Sequence, residues 1–150
     1  MPIYVGKAVP SGSRKGGFGL GENPGRVLFG RLGEHLTSIK AATNLDVKDF
    51  QCRYLVADDI WIPLGEALLI DQFSPVWNRV LDGFGNHTPG AGRFKQQRSR
   101  WDTLHPGRSW AEKCAPNNVP LETINELVEA FLMGKPVPVR STKEIISKDD

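Results

Sequence analysis

The sequence predicts a single α/β domain in which short strands and longer helices share one core. Three observations lead there. A length of 150 residues with 39% apolar and 24% charged side chains suits one domain with a core of ordinary size and excludes general disorder. Two short runs, 2–8 and 50–57, are rich in β-branched and aromatic residues and read as strands. Three longer stretches, 26–43, 63–73 and 121–131, carry apolar residues in helical patterns. Sixteen Gly and eleven Pro add long connections, so loops are expected to carry much of the function.

The elements follow in chain order. The first strand begins almost at Met1 and is closed by Pro10-Ser11-Gly12. Residues 11–25 are Gly-rich and basic and fit neither a Walker pattern nor a complete GxGxxG, so they read as a surface loop. Leu28, Leu32, Leu36 and Ile39 mark an amphipathic helix, with Arg31 and His35 one turn apart beside its apolar stripe. After the second strand, Pro63 suits the first turn of a helix running to about Phe73. That helix is apolar nearly all round and is expected to be buried. Ser74-Pro75 interrupts it, and a Gly/Asn/Pro loop leads into the basic segment 93–113 with Trp101 and Trp110. Leu121, Ile124, Leu127, Val128 and Phe131 define a final helix; Gly134, Pro136 and Pro138 stop it, and the polar tail from Ser141 is expected to fray.

Several classes of protein are excluded. The start lacks a basic region followed by an apolar one, and the longest apolar stretch, 60–70, is too short for a membrane span and contains Glu66, so a cytoplasmic protein without membrane contact is expected. Cys52 and Cys114 show no CxxC spacing and read as free thiols. The net charge of +2 alternates along the chain: segments 1–40, 41–92, 93–113 and 114–150 carry +4, −4, +4 and −2. The two basic segments could meet as one phosphate-binding surface or remain ordinary solvated loops.

Glu66 is the only ionisable residue between Asp59 and Asp71. A buried carboxylate must be paired, hydrogen-bonded or bound to metal, although a glutamate near a helix N-terminus at the protein's edge would also fit. With Mg²⁺, one carboxylate plus waters and a substrate phosphate suffices. Arg31 and His35 could hold a developing oxyanion and accept a proton, or could be ordinary helix-surface residues. Tyr4 could orient a nucleophile or simply pack.

In combination, Ile3-Tyr4-Val5-Gly6-Lys7, Arg31 with His35, Glu66 and Asn78 resemble the GIY-YIG nuclease superfamily, with Tyr4-Val5-Gly6 in the second half of its name motif. Further on, Gly83-Phe84-Gly85-Asn86-His87, Gln96-Gln97-Arg98-Ser99, Trp101-Asp102 and Leu104-His105-Pro106-Gly107-Arg108 are similar to the type II restriction endonuclease branch that cuts CCGCGG. The resemblance implies a small twisted antiparallel sheet flanked by helices, in a prokaryotic cytoplasmic enzyme hydrolysing double-stranded DNA with Mg²⁺ or Mn²⁺ as a homodimer. It implies Tyr4, Arg31, His35, Glu66 and Asn78 as catalytic residues, Glu66 as the metal ligand, and Lys7, Arg14, Lys15, Arg93, Lys95, Arg98, Arg100 and Arg108 as DNA contacts. Arginines bonding guanine O6 and N7 would suit a G·C-only site. The implied division is a catalytic core at 2–80, DNA-recognition loops at 81–114, a C-terminal helix at 115–134 and a tail at 135–150. The family's GIY strand has no counterpart ahead of residue 2, so a catalytically crippled, N-terminally truncated DNA-binding remnant is the alternative.

Overall fold

The computed structural model describes residues 1–10, 25–88 and 94–147. Within them the chain forms helices α1 (Val27–Ala41), α2 (Ile62–Phe73), α3 (Val76–Arg79), α4 (Arg100–Leu104), α5 (Leu121–Leu132) and α6 (Thr142–Ile146). Short 3-10 turns occur at Val47–Asp49, Asp59–Trp61 and Ala111–Lys113.

The expected α/β architecture, a twisted antiparallel sheet flanked by helices, is corrected by this finding. Among the described residues there is no strand, and the only β-type pairing is an isolated parallel bridge between Gln97 and Ala115. The two β-rich runs fail for different reasons. In the first, α3 takes the backbone groups: the Trp77 N–H donates to the Ile3 carbonyl at 3.0 Å, and the Asn78 side chain engages both polar groups of Val5. In the second, residues 51–57 are exposed and make no backbone–backbone hydrogen bond among the described residues, while Phe50 alone turns inward, its ring 5.7 Å from that of Trp77. β-Propensity expresses a fit to a pleated, half-buried surface, and without a neighbouring strand it has nothing to act on.

The core is aromatic. Trp77, Phe84 and Trp101 lie with Val80, Leu81 and Ile124 at its centre; the Trp77 and Phe84 rings are 4.6 Å apart and Trp101 meets Trp77 edge-on at 5.7 Å. Such pairs add to area burial when offset or edge-to-face. α5 turns Ile124, Leu127, Val128 and Phe131 toward this cluster, the i, i+3, i+4, i+7 stripe of an amphipathic helix. α1 contributes Ile39, and beyond its end the Thr43 N–H donates to the Pro106 carbonyl at 2.9 Å.

α2 is less buried than its composition suggests. Glu66 and Ile70, four residues apart, face inward, whereas Leu64 and Leu68 are 50% and 59% exposed. Ser74 closes the helix in the left-handed region, and Pro75 starts α3 at once. The tail is also more ordered than expected. Ser141 and Glu144 form a capping box on α6, Ile145 is buried, and Thr142 bonds Asp71 of α2. The buried Arg79 ties the same region together, donating to Asp71 at 2.7 Å and to the Arg140 carbonyl at 2.9 Å.

His105 lies against Trp77 and Trp101 and donates Nδ1–H to Asn44 Oδ1 at 3.0 Å. Burial pushes its pKa down to about 4, against the opposing charge of Asp102. The unfolded chain therefore binds this proton more readily between pH 6.5 and 4, so the contribution to stability is complete above about 6.5 and falls as the pH drops toward 4. The urea midpoint is expected to decrease across that window, and His105→Gln should flatten the decrease.

Candidate active site

Residues 4–7 pass along three helices in succession, and they assemble the site. Val5 is held by Asn78 of α3: its N–H donates to Asn78 Oδ1 at 2.9 Å and its carbonyl accepts from Nδ2 at 2.8 Å. The carboxamide thereby satisfies the backbone as a neighbouring strand would. Tyr4 is turned toward α1, its ring edge-on to His35 at 5.2 Å and to Phe84 at 4.9 Å. Lys7 reaches α2, with Nζ 3.2 Å from Glu66 Oε2. Three chain steps cover at most roughly 11 Å, so the backbone positions of Tyr4 and Lys7 lie within that distance of each other.

Glu66 is 4% exposed, so its carboxylate needs partners, and the Lys7 ammonium at 3.2 Å is one of them; a buried ion stripped of its partner costs about 3–5 kcal/mol. The inward register of Glu66 with Ile70 explains the depth, because residues four apart share a helix face. His35 stacks on Phe84 at 4.7 Å. Burial first and the Arg31 charge second lower its pKa to about 4, so the imidazole is neutral at pH 7.

Arg31, one turn before His35, is anchored through a single nitrogen. Nη1 lies 3.1 Å from Glu34 Oε2, 3.1 Å from His87 Nε2 and 3.3 Å from the Gly85 carbonyl. Gly85 is needed for this approach. A β-carbon there would come within 2.6 Å of Arg31 Nη2 and 2.8 Å of the Tyr4 hydroxyl, which places the guanidinium and the phenol side by side over the same residue.

The basic segment is used differently from the expected DNA contacts. Arg108 is 5% exposed, clamped by Asp102 at 2.6 and 2.7 Å and stacked between Trp101 and Trp110. It also donates to the carbonyls of Gly83, Phe84 and Asn86, which fixes the loop that bears Gly85 and His87. Arg98 donates to the carbonyls of Ala111 and Glu112, and Arg100 to that of Val80. Arg108 is thus a core residue, and the other two are bound to their own backbone. Lys95 is exposed; Arg14, Lys15 and Arg93 lie outside the described residues. Beside Tyr4 and Asn78 a cleft of about 450 Å³ opens, lined also by Asn86, Gln96 and Gln97.

Sequence reasoning missed His87, Glu34 and the Arg108 clamp. His87 is one of three histidines, which was a usable signal, but nothing in its spacing tied it to Arg31. Among the described residues there is no group of three or more His, Cys, Asp or Glu that could hold a metal ion.

A buried carboxylate, an anchored guanidinium, a neutral imidazole and a phenol gathered around residues 4–7 are the equipment of a phosphodiester-cleaving protein. The family is shown directly: residues 1–132 match the Eco29kI GIY-YIG domain, and the chain belongs to this family of restriction endonuclease domains. No curated protein matches it at a significant level. No helix among the described residues is long and apolar enough to cross a membrane.

Gly85→Ala is expected to leave the thermal midpoint nearly unchanged, since the colliding atoms are side-chain tips. Nuclease turnover should fall by about tenfold or more as Arg31 and Tyr4 are displaced. Wild-type turnover in the folded variant would mean that this close packing is immaterial.

Proposed function

We propose that the chain is a sequence-specific, metal-dependent endonuclease of double-stranded DNA, acting as a homodimer on CCGCGG. The family supports the nuclease class, and the sequence resemblance supports the site; a palindrome calls for a two-fold arrangement. The observation that carries the catalytic reading is the passage of residues 4–7 past α1, α3 and α2, with Tyr4 against His35 and Lys7 against Glu66.

In this reading Arg31 presents its guanidinium to the scissile phosphate and balances the charge that grows there. His35, neutral through burial, accepts the proton of the attacking water directly or through the Tyr4 phenol. Asn78 is a positioning residue, acting on Tyr4 through Val5. Glu66 fits a single-carboxylate ligand for Mg²⁺ or Mn²⁺, and the Lys7 ammonium on it supports a demand for positive charge at that point. A bound divalent ion would supply charge to the phosphate and the leaving oxygen. Lys7, beside Glu66, would be a phosphate contact. Lys95, with Arg14, Lys15 and Arg93, would follow the DNA backbone, while the exposed Asn86, Gln96 and Gln97 are better candidates for base contact than the committed Arg98, Arg100 and Arg108.

The test is cleavage of a CCGCGG-containing duplex with Mg²⁺. Glu66→Gln should abolish cleavage with DNA affinity within a few-fold of wild type, and normal cleavage would remove the metal role. Arg31→Ala should cost on the order of ~10²-fold in rate, as for loss of one preorganised oxyanion donor. Unchanged turnover would make Arg31 an ordinary helix residue.

A further inference from the structure

Arg31 has three acceptors on one nitrogen and only two protons there to give. Glu34 Oε2 and His87 Nε2 each lie 3.1 Å from Nη1 and the Gly85 carbonyl lies 3.3 Å away, whereas Nε is buried with no hydrogen-bond partner in the structure. The other terminal nitrogen, Nη2, is the atom packed on Gly85 beside the Tyr4 hydroxyl. The guanidinium is therefore anchored at one corner and turned toward the phenol at the other.

We propose that His87 is a positioning residue that holds Arg31 for the reaction, a proposal that rests on the catalytic reading of Arg31. The chemistry is directional. Arg31 Nη1 can only donate, so Nε2 of His87 must accept, and the ring proton must sit on Nδ1. His87 Nδ1 lies 3.8 Å from Glu34 Oε2, beyond hydrogen-bond range. Arg31 Nη1 is the atom that joins the side chains, donating to Glu34 and to His87. Glu34 and Arg31 come from α1, whereas His87 comes from the 83–87 loop, whose carbonyls are held by the buried Arg108. The Arg31–His87 contact, with that to the Gly85 carbonyl, ties the guanidinium to a loop that the core itself fixes, and a planar guanidinium held in one orientation loses less freedom when it meets phosphate. His87 itself is largely exposed, and its removal should not disturb the core.

Two measurements test this. In the first, NMR of the His87 ring nitrogens in the full chain should show the Nδ1–H tautomer, and Arg31→Gln should abolish that preference. An Nε2–H tautomer in the wild-type protein would overturn the proposal without any reference to activity. In the second, Mg²⁺-dependent cleavage of the CCGCGG duplex is measured for His87→Ala, His87→Gln and Arg31→Ala, with thermal midpoints recorded for each. His87→Ala should lower kcat about tenfold with KM within twofold, and His87→Gln, which retains an acceptor, should recover most of the loss. Equal kcat for His87→Ala and wild type, with Arg31→Ala inactive, would overturn the role of His87 alone. Full activity in Arg31→Ala would overturn the catalytic reading and this proposal with it.

Discussion

The pair of hydrogen bonds between Asn78 and the backbone of Val5 is the constraint on which the site depends. One carboxamide both donates to and accepts from a single residue, at 2.8 and 2.9 Å, and so fixes the position and direction of residues 4–7. Only asparagine or glutamine can do this from a side chain, because the task needs an N–H and a carbonyl on the same planar group. The consequence runs outward in both directions: Tyr4 is set against α1 and Lys7 against Glu66. Leaving the two Val5 groups unsatisfied would cost on the order of 1–3 kcal/mol each where water is excluded, a large part of a small domain's margin.

A second polar assembly supports the opposite wall. Asp102 and Arg108 are both buried, and a buried pair of this kind is maintained by geometry and full hydrogen bonding rather than by charge attraction alone. Here the requirement is met: the carboxylate also accepts from Ser99, and the guanidinium donates to three carbonyls of the 83–87 loop and lies between two tryptophan rings. Among the described cations of the basic segment, Arg108 is thus turned inward, whereas Lys95 and Lys113 are exposed. The effect of Arg108 on the site is mechanical, through a loop whose carbonyl and histidine meet Arg31. Tyr4, set through Val5 by the Asn78 clamp, and Arg31, bound to the loop that the Arg108 clamp holds, both pack over Gly85.

Much of this protein was determined by its sequence. The apolar repeat at 121–131 yields α5 with Ile124, Leu127, Val128 and Phe131 inward and Leu121 exposed, and Pro63 lies in the first turn of α2 as its preference requires. Glu66 stands out as the only ionisable residue between Asp59 and Asp71, and the set Tyr4, Arg31, His35, Glu66 and Asn78 carries a resemblance to the family whose domain residues 1–132 match. Those features are local, since periodicity, turn chemistry and motif spacing are properties of contiguous residues. The tertiary structure decided what depends on partners far along the chain. Residues 2–8 and 50–57 have strand composition, but pairing needs a second backbone, and here Asn78, 73 residues from Val5, supplies hydrogen bonds for the first run, while residues 51–57 make no backbone–backbone hydrogen bond among the described residues. Likewise the charge of Arg108 is plain in the sequence, whereas its burial follows from a carboxylate, two indoles and a loop that only folding brings together.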